Sequence, residues 1–239
     1  MKLDILAIGA HPDDVELSCA GTLMMHQRTG KKVGVVDLTE GEMGTRGTVE
    51  DRRSEAAAAA RIMKLSAREN LGFRDAFFIN DEEHQLKVIQ AIRKYQPEII
   101  LANATYDRHP DHGRAAALVE QAVFKSGLAK IETHDDENML QSSWRPKKLY
   151  HYVQSVTQEP DFFVDISEAV EDKFAAISAY KSQFYQAGDD GPQTYISKPD
   201  FMEMIEARTR EWGHRIGVKH AEGFTQKQFL GVKSLYDLI

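Results

Sequence analysis

Short apolar segments alternate with helix-forming segments through the first half of the chain, and this alternation constrains the fold more than any other feature. The runs at 4–9, 33–38 and 98–102 are mostly apolar and are typical of strands buried in a parallel sheet. We therefore predict an α/β fold, a Rossmann-like and mostly parallel sheet with helices on both faces. The helices predicted for this half span residues 15–29, 51–65, 82–95 and about 113–126.

The second half of the chain is less regular. Strands are predicted at 148–153 and 162–166, and helices at 167–183 and 199–212. Neither an internal repeat nor an interdomain linker is visible, so we expect one domain over residues 1–239.

Charge and cysteine usage exclude several classes of protein. A net charge of −7 argues against a nucleic-acid-binding surface. No stretch approaches the ~18 consecutive apolar residues of a membrane-spanning helix. The only cysteine is Cys19, so neither an intramolecular disulfide nor a thiolate metal cluster can form, and Cys19 is expected to be a packing residue. The plain expectation is a cytoplasmic protein without a membrane or nucleic-acid partner.

Two similar motifs follow predicted strands. AHPDD occupies residues 10–14 and RHPDH occupies residues 108–112. Open α/β sheets bind their ligands outside the carboxyl ends of the strands, so loops that are distant in sequence can meet there. The other six histidines lack this context and are interpreted as surface or core residues; they are His26, His84, His134, His151, His214 and His220.

The two motifs together carry the ligands of a catalytic metal site. His11 and Asp14 lie three residues apart across a turn, and His112 follows the second loop. Two imidazoles and one carboxylate leave a coordination position open, which is the pattern of catalytic zinc. Either motif alone is a common turn, because proline and aspartate favour turns and helix N-caps. Their pairing after two strands favours a metal site.

The remaining polar residues of the motifs suit hydrolysis. Asp13 is next to a predicted ligand and is free to act as the general base. His109, as an imidazolium, could stabilise an oxyanion and help to protonate a leaving amine. Asp111 could hydrogen-bond a histidine and fix its orientation.

Three other functions share features with this sequence. A non-haem iron oxygenase also uses two histidines and a carboxylate, although usually on an antiparallel scaffold. A dinucleotide-binding module would need G-x-G-x-x-G where residues 9–12 read GAHP. A non-catalytic sugar-binding descendant would be expected to lack a ligand or the base, and neither is missing.

At these motifs the sequence resembles the LmbE/PIG-L family of zinc-dependent N-acetylglucosaminyl deacetylases. GTRGTVEDR at 44–52, SQF at 182–184 and AEGF at 221–224 resemble the bacillithiol biosynthesis deacetylases. The resemblance implies hydrolysis of N-acetylglucosaminyl malate to glucosaminyl malate and acetate, with another N-acetylglucosamine conjugate as the alternative substrate. It implies bound Zn²⁺, with Fe²⁺ possible in the cell, and a small-molecule sugar conjugate as partner; we also expect a homo-oligomer.

The same resemblance assigns roles to individual residues. Metal ligation falls on His11, Asp14 and His112, the base on Asp13, and the assisting cation on His109. Arg52 matches a substrate-contacting arginine of the family.

Three arginines suit a substrate that carries the two carboxylates of malate. Arg46, Arg52 and Arg108 fall in or beside the loops predicted to surround the site, and arginine binds carboxylates through two parallel hydrogen bonds. For Arg46, an ion pair with a nearby acid such as Glu42 or Glu50 is an equally good interpretation.

Overall fold

The computed structural model describes residues 1–156, 158–188 and 191–238. Within these residues, no helix combines the length and apolarity that crossing a membrane requires. The strands are β1 (Ile5–Gly9), β2 (Val33–Thr39), β3 (Ala67–Phe73), β4 (Ile99–Ala102), β5 (Lys148–Tyr152), β6 (Phe162–Asp165) and β7 (Ala221–Thr225). The α-helices are α1 (Asp14–Arg28), α2 (Val49–Ile62), α3 (Glu82–Tyr95), α4 (Pro110–Ser126), α5 (Val170–Ser178) and α6 (Phe201–Arg215).

The seven strands form one sheet in the order β3-β2-β1-β4-β5-β7-β6. The first five strands in this order are parallel to one another, whereas β7 is antiparallel to both β5 and β6. The predicted α/β fold with a mostly parallel sheet is confirmed. Chain order reverses between β1 and β4, so the loops that follow these two strands leave the sheet side by side.

Successive residues of the buried strands face opposite layers. On one side Leu6 and Ile8 of β1 pack with α3 and α4. On the other side Ile5 and Ala7 pack with α1 and α5. The apolar runs predicted to be buried strands are therefore covered on both faces, as parallel sheets require.

Two strands were not predicted. β3 carries Arg68 and Glu69 at an edge of the sheet, where Arg68 pairs with Asp37 of the neighbouring strand at 2.8 Å. β7 carries Glu222 and Gly223. Neither segment shows the apolar pattern of a strand. Their charged residues are tolerated in the sheet because residues distant in sequence form ion pairs with them.

Several helix boundaries also differ from the prediction. α4 begins at Pro110 instead of about residue 113, because proline is well suited to the first position of a helix. His109 caps this helix, with its ring nitrogen accepting a hydrogen bond from the Asp111 amide at 3.3 Å. α5 ends at Ser178, five residues before the predicted end.

A buried ion pair joins α1, α5 and β7. Lys173 Nζ lies 2.7 Å from Glu222 Oε1, and both side chains are 1% exposed. Lys173 also donates to backbone carbonyls of α1, while Glu222 accepts the amides of Gly21 and Thr22. The pair therefore holds the antiparallel end of the sheet against the helix that begins in the AHPDD motif.

We predict that Lys173→Met lowers the free energy of unfolding by about 3–5 kcal/mol, because Glu222 would be left charged and buried without a partner. Urea unfolding measures this loss. The double variant Lys173→Met/Glu222→Gln should recover part of it, since the amide is neutral and still accepts a hydrogen bond.

Lys147→Met is the matched control, because Lys147 is exposed and pairs with Glu98 at the surface. It should change the stability by less than about 0.5 kcal/mol. A Lys173→Met protein as stable as this control would show that the buried pair is not needed for the fold.

Candidate metal centre and active site

The two predicted motifs meet at the point where the strand order reverses. β1 and β4 are hydrogen-bonded neighbours, and the AHPDD and RHPDH loops leave their carboxyl ends. Asn103, directly after β4, accepts the amide of Ala10 at 2.9 Å and so ties the start of one loop to the other. This arrangement follows the general rule for ligand sites in open α/β sheets.

The carboxylate of Asp14 is the common contact of the loops. Its oxygens accept hydrogen bonds from the His11 amide at 3.0 Å, from Asn103 Nδ2 at 2.9 Å and from Gln154 Nε2 at 3.0 Å. His112 Nε2 lies 3.0 Å from Asp14 Oδ1. Asp14 thus connects the loops that follow β1, β4 and β5.

His11 is buried among three carboxylates. Its Nε2 lies 3.0 Å from Asp75 Oδ1 and 3.3 Å from Asp111 Oδ2, and its Nδ1 lies 3.7 Å from Asp14 Oδ2. Burial disfavours the charged ring, but the hydrogen bonds that the ring donates to the carboxylates of Asp111, Asp14 and Asp75 outweigh it and raise the pKa of His11 well above its usual value. Positive charge is stabilised at this point.

His112 is held between two carboxylates. Its Nδ1 lies 2.6 Å from Asp107 Oδ2, while its Nε2 faces Asp14. Burial lowers the pKa of His112, but attraction to Asp14 and the bond to Asp107 dominate and raise it to about 9. Asp107 thus orients this histidine as a carboxylate commonly orients a metal-binding imidazole.

Asp13 adopts a conformation that is rare for a residue with a side chain. Its φ is 111°, and it is 6% exposed at the N-terminus of α1. Burial raises the pKa of Asp13 to about 7, against the opposing charge of Arg52, whose nitrogen lies 3.4 Å from Asp13 Oδ2. Arg52 also donates to the carbonyl of Pro12. Strained backbone of this kind concentrates at functional sites.

The His109 ring packs against the rings of both His11 and His112. Its ring centroid is 4.8 Å from that of His11 and 5.2 Å from that of His112. Burial, followed by repulsion from His11 and His112, lowers the pKa of His109. These surroundings favour the neutral imidazole, and the catalytic role of His109 stays a prediction.

Several of the side chains described above line a cavity of about 350 Å³, namely His11, Asp13, Asp14, Asp75, His109 and His112. The glycine-rich loop after β2 forms part of its wall through Gly41, Met43, Gly44 and Thr45. Arg108 lines the same cavity, with its guanidinium 4.2 Å from the centroid of the Tyr195 ring. The cavity thus has an acidic, histidine-rich floor and arginine on its wall.

The three predicted substrate-binding arginines are placed differently. Arg52 and Arg108 line the cavity. Arg46 is not among the described residues that line it; instead its guanidinium donates to the carbonyls of Ser182 and Pro192 at 2.9 and 3.0 Å. Arg46 thereby connects the glycine-rich loop to the segment that precedes α6.

Sequence reasoning missed four polar residues that hydrogen-bond to His11, Asp14 or His112. Asp75 and Gln154 each lie two residues beyond the end of a strand, β3 and β5. The rule that identified the two motifs also applies to them, but β3 was not predicted. Asn103 and Asp107 belong to the loop after β4 and have no motif of their own.

The donor set fits a divalent metal ion. Among the described residues, His11, His109 and His112 offer ligand atoms within 4.8 Å of one another, as do His11, Asp75 and Asp111. Imidazole and carboxylate are ligands of zinc and of ferrous iron. The carboxylates that raise the pKa values of His11 and His112 would equally favour a cation.

Comparisons with known proteins agree with this site. The sequence model of the PIG-L family, described as GlcNAc-PI de-N-acetylase, matches residues 6–123, which include both motifs. The chain is 32% identical over 237 residues to diacetylchitobiose deacetylase of Thermococcus kodakarensis, covering 92% of this chain and 81% of that relative. It is 28% identical to a probable N-acetyl-alpha-D-glucosaminyl L-malate deacetylase 2 of Bacillus cereus, covering 77% and 84%.

A solved structure matches almost the whole chain. The conserved protein TT1542 of Thermus thermophilus superposes with a TM-score of 0.84 at 37% identity, covering 97% of this chain and 98% of that one. Fold, sequence and the position of the motifs therefore agree, and the chain belongs to the PIG-L family of de-N-acetylases.

Proposed function

We propose that this protein is a metal-dependent N-deacetylase that releases acetate from an N-acetylglucosamine conjugate, and that the conjugate is N-acetylglucosaminyl malate. One observation carries the proposal: His11, Asp14 and His112 converge on the floor of a cavity with Asp13 beside them. Family membership supports amide hydrolysis over the oxygenase alternative.

The metal ligands in this proposal are His11, Asp14 and His112, and the ion is zinc or ferrous iron. When bound, such an ion lowers the pKa of a water molecule and polarises a carbonyl group. The chain itself supplies the orientation. Asp107 holds the His112 ring, and Gln154 and Asn103 hold the Asp14 carboxylate.

Asp13 acts as the general base. It lines the cavity next to a predicted metal ligand. Among the described residues, its carboxylate accepts no hydrogen bond, so its oxygens can bind a substrate or a water molecule. Arg52 keeps the side chain in place from the protein side. Asp13 takes a proton from the attacking water and passes it to the departing amine.

His109 binds the developing oxyanion. The ring lines the same cavity as Asp13, and burial together with repulsion from His11 and His112 lowers the pKa of His109, which favours the neutral imidazole. A neutral imidazole donates one N–H, which is sufficient to stabilise negative charge on the acetamide oxygen.

The choice of malate rests on charge and on similarity. Arg108 is exposed on the cavity wall, where it stacks on Tyr195. A guanidinium in that position can bind a carboxylate of the group attached to the sugar. The similarity to the Bacillus cereus protein supports the same choice.

We predict that the metal-loaded protein releases acetate from N-acetylglucosaminyl malate and that chelation abolishes this activity. One divalent ion per chain should restore it. His11→Ala and His112→Ala should each lose the metal, because a three-ligand site that loses one ligand retains too little affinity. Acetate assays and elemental analysis measure both results.

The control is His134→Ala, which removes an exposed histidine and should keep metal and activity. Washed, active protein without bound metal would contradict the proposal. Oxygen consumption without acetate release would instead identify an oxygenase.

Asp13→Asn should keep the metal and lose turnover by about 10²–10⁴-fold, the range of general acid–base catalysis. The isosteric amide cannot accept the proton. The measurement is kcat together with metal content. Near-normal turnover in the metal-replete variant would assign the base to another residue.

Arg108→Ala should lower kcat/KM for N-acetylglucosaminyl malate about 10–100-fold more than for N-acetylglucosamine, because a charge-assisted contact contributes about 1.5–3 kcal/mol. Arg52→Ala should affect both substrates alike, since Arg52 holds Asp13. If Arg108→Ala lowered kcat/KM equally for both substrates, Arg108 would not bind a malate carboxylate, and the electrostatic argument for malate would fail.

A further inference from the structure

A third arginine lines the cavity beside Arg52 and Arg108, and the motifs did not indicate it. Arg208 lies on α6, and its guanidinium donates to the carbonyl of Gln154. It also packs 5.2 Å from the centroid of the Trp212 ring. Its Nε is buried and finds no hydrogen-bond partner in residues 1–156, 158–188 and 191–238. Among the described residues, no carboxylate lies within ion-pair distance of this guanidinium. An arginine that is partly buried usually has such a partner.

The carboxylates whose charge reaches Arg208 are engaged elsewhere. These are Glu222 and Asp107. Glu222 pairs with Lys173 and accepts two amides of α1, and Asp107 holds His112. Burial lowers the pKa of Arg208 to about 10, so the side chain keeps its charge at neutral pH. Within the part of the chain that the structure describes, the charge of Arg208 at the cavity is therefore not compensated by a paired carboxylate.

The surroundings of Arg208 strengthen its attraction for an anion. Phe201, Met204 and Ile205 of the same helix line the cavity beside it. An apolar wall reduces the dielectric screening of a charge, so an opposite charge placed there is bound more strongly than in water. Arg108, which stacks on Tyr195, lines the same cavity as Arg208. Two guanidiniums thus line one cavity together with Tyr195.

We propose that Arg208 and Arg108 together form an anion-binding site on the wall of the cavity that both line, and that this site binds the carboxylate-bearing group attached to the substrate's sugar. This inference rests on the proposed function, because it places the sugar's acetamide at the histidine-rich floor. Two guanidiniums match the two carboxylates of a dicarboxylate such as malate. Arg208 would then determine specificity without contacting the reacting atoms.

The test compares an anionic and a neutral substrate in variants of α6. Arg208→Gln should lower the ratio of kcat/KM for N-acetylglucosaminyl malate to that for methyl N-acetylglucosaminide by about 10–100-fold. Arg208→Lys should lie between wild type and this variant, since lysine keeps the charge and loses the bidentate geometry. Arg210→Gln is the matched control, because Arg210 lies on the same helix and pairs with Glu206 at the surface. Its ratio should equal that of the wild type.

Arg208 has a structural alternative that the same experiment separates. Through Gln154 it could hold Asp14, in which case Arg208→Gln would lose metal and would lower kcat for both substrates equally. That result would overturn the proposal. If both arginines bind the same group, Arg108→Ala and Arg208→Gln should be non-additive in the double variant. A strictly additive double variant would also contradict a shared site.

Binding of L-malate gives a readout that does not depend on turnover. L-Malate should raise the Tm of the wild-type protein and of Arg210→Gln but not that of Arg208→Gln. Failure to release acetate from any glucosaminide would disprove the proposed function while this shift would still report the anion site. Stabilisation by inorganic phosphate but not by L-malate would overturn the assignment to a carboxylate.

Discussion

The carboxylate of Asp14 is the contact on which the site depends. It accepts hydrogen bonds from the backbone amide of His11, from the side chain of Asn103 after β4 and from the side chain of Gln154 after β5. It also pairs with His112. A buried carboxylate with four such partners has little freedom to move. Loops from three neighbouring strands are therefore held in one geometry by a single side chain.

Electrostatics divide the cavity into two regions. Carboxylates on the floor surround His11 and His112 and favour positive charge there, which suits a divalent ion. Arg108 and Arg208 on the wall lack carboxylate partners among the described residues and favour negative charge. The net charge of −7 does not reveal these two regions, because it sums the charges of the whole chain and most of them lie outside the cavity.

Sequence patterns were sufficient where a residue's role is local. Buried parallel strands read as apolar runs, and β1, β2 and β4 were found in this way. The HPDD and HPDH motifs were found because their residues follow strands directly. β3 and β7 were missed because Arg68 and Glu222 make them look polar, and the partners that neutralise these charges are distant in sequence.

The sequence by itself determined the fold class, the family and the motifs that meet at the carboxyl edge of the sheet. Only the tertiary structure decided which other groups join them. Asp75 follows a strand that the sequence did not reveal, and Asp107 has no motif of its own. Each of them, like Gln154, acts through a partner that is distant in sequence or in another turn of the chain. The positions of the arginines also depend on the tertiary structure. Arg46 donates to backbone carbonyls instead of lining the cavity, whereas Arg208, which has no distinctive sequence pattern within its amphipathic helix, lines it. Hydrogen bonds and ion pairs between distant residues depend on three-dimensional proximity, which residue spacing along one segment does not encode.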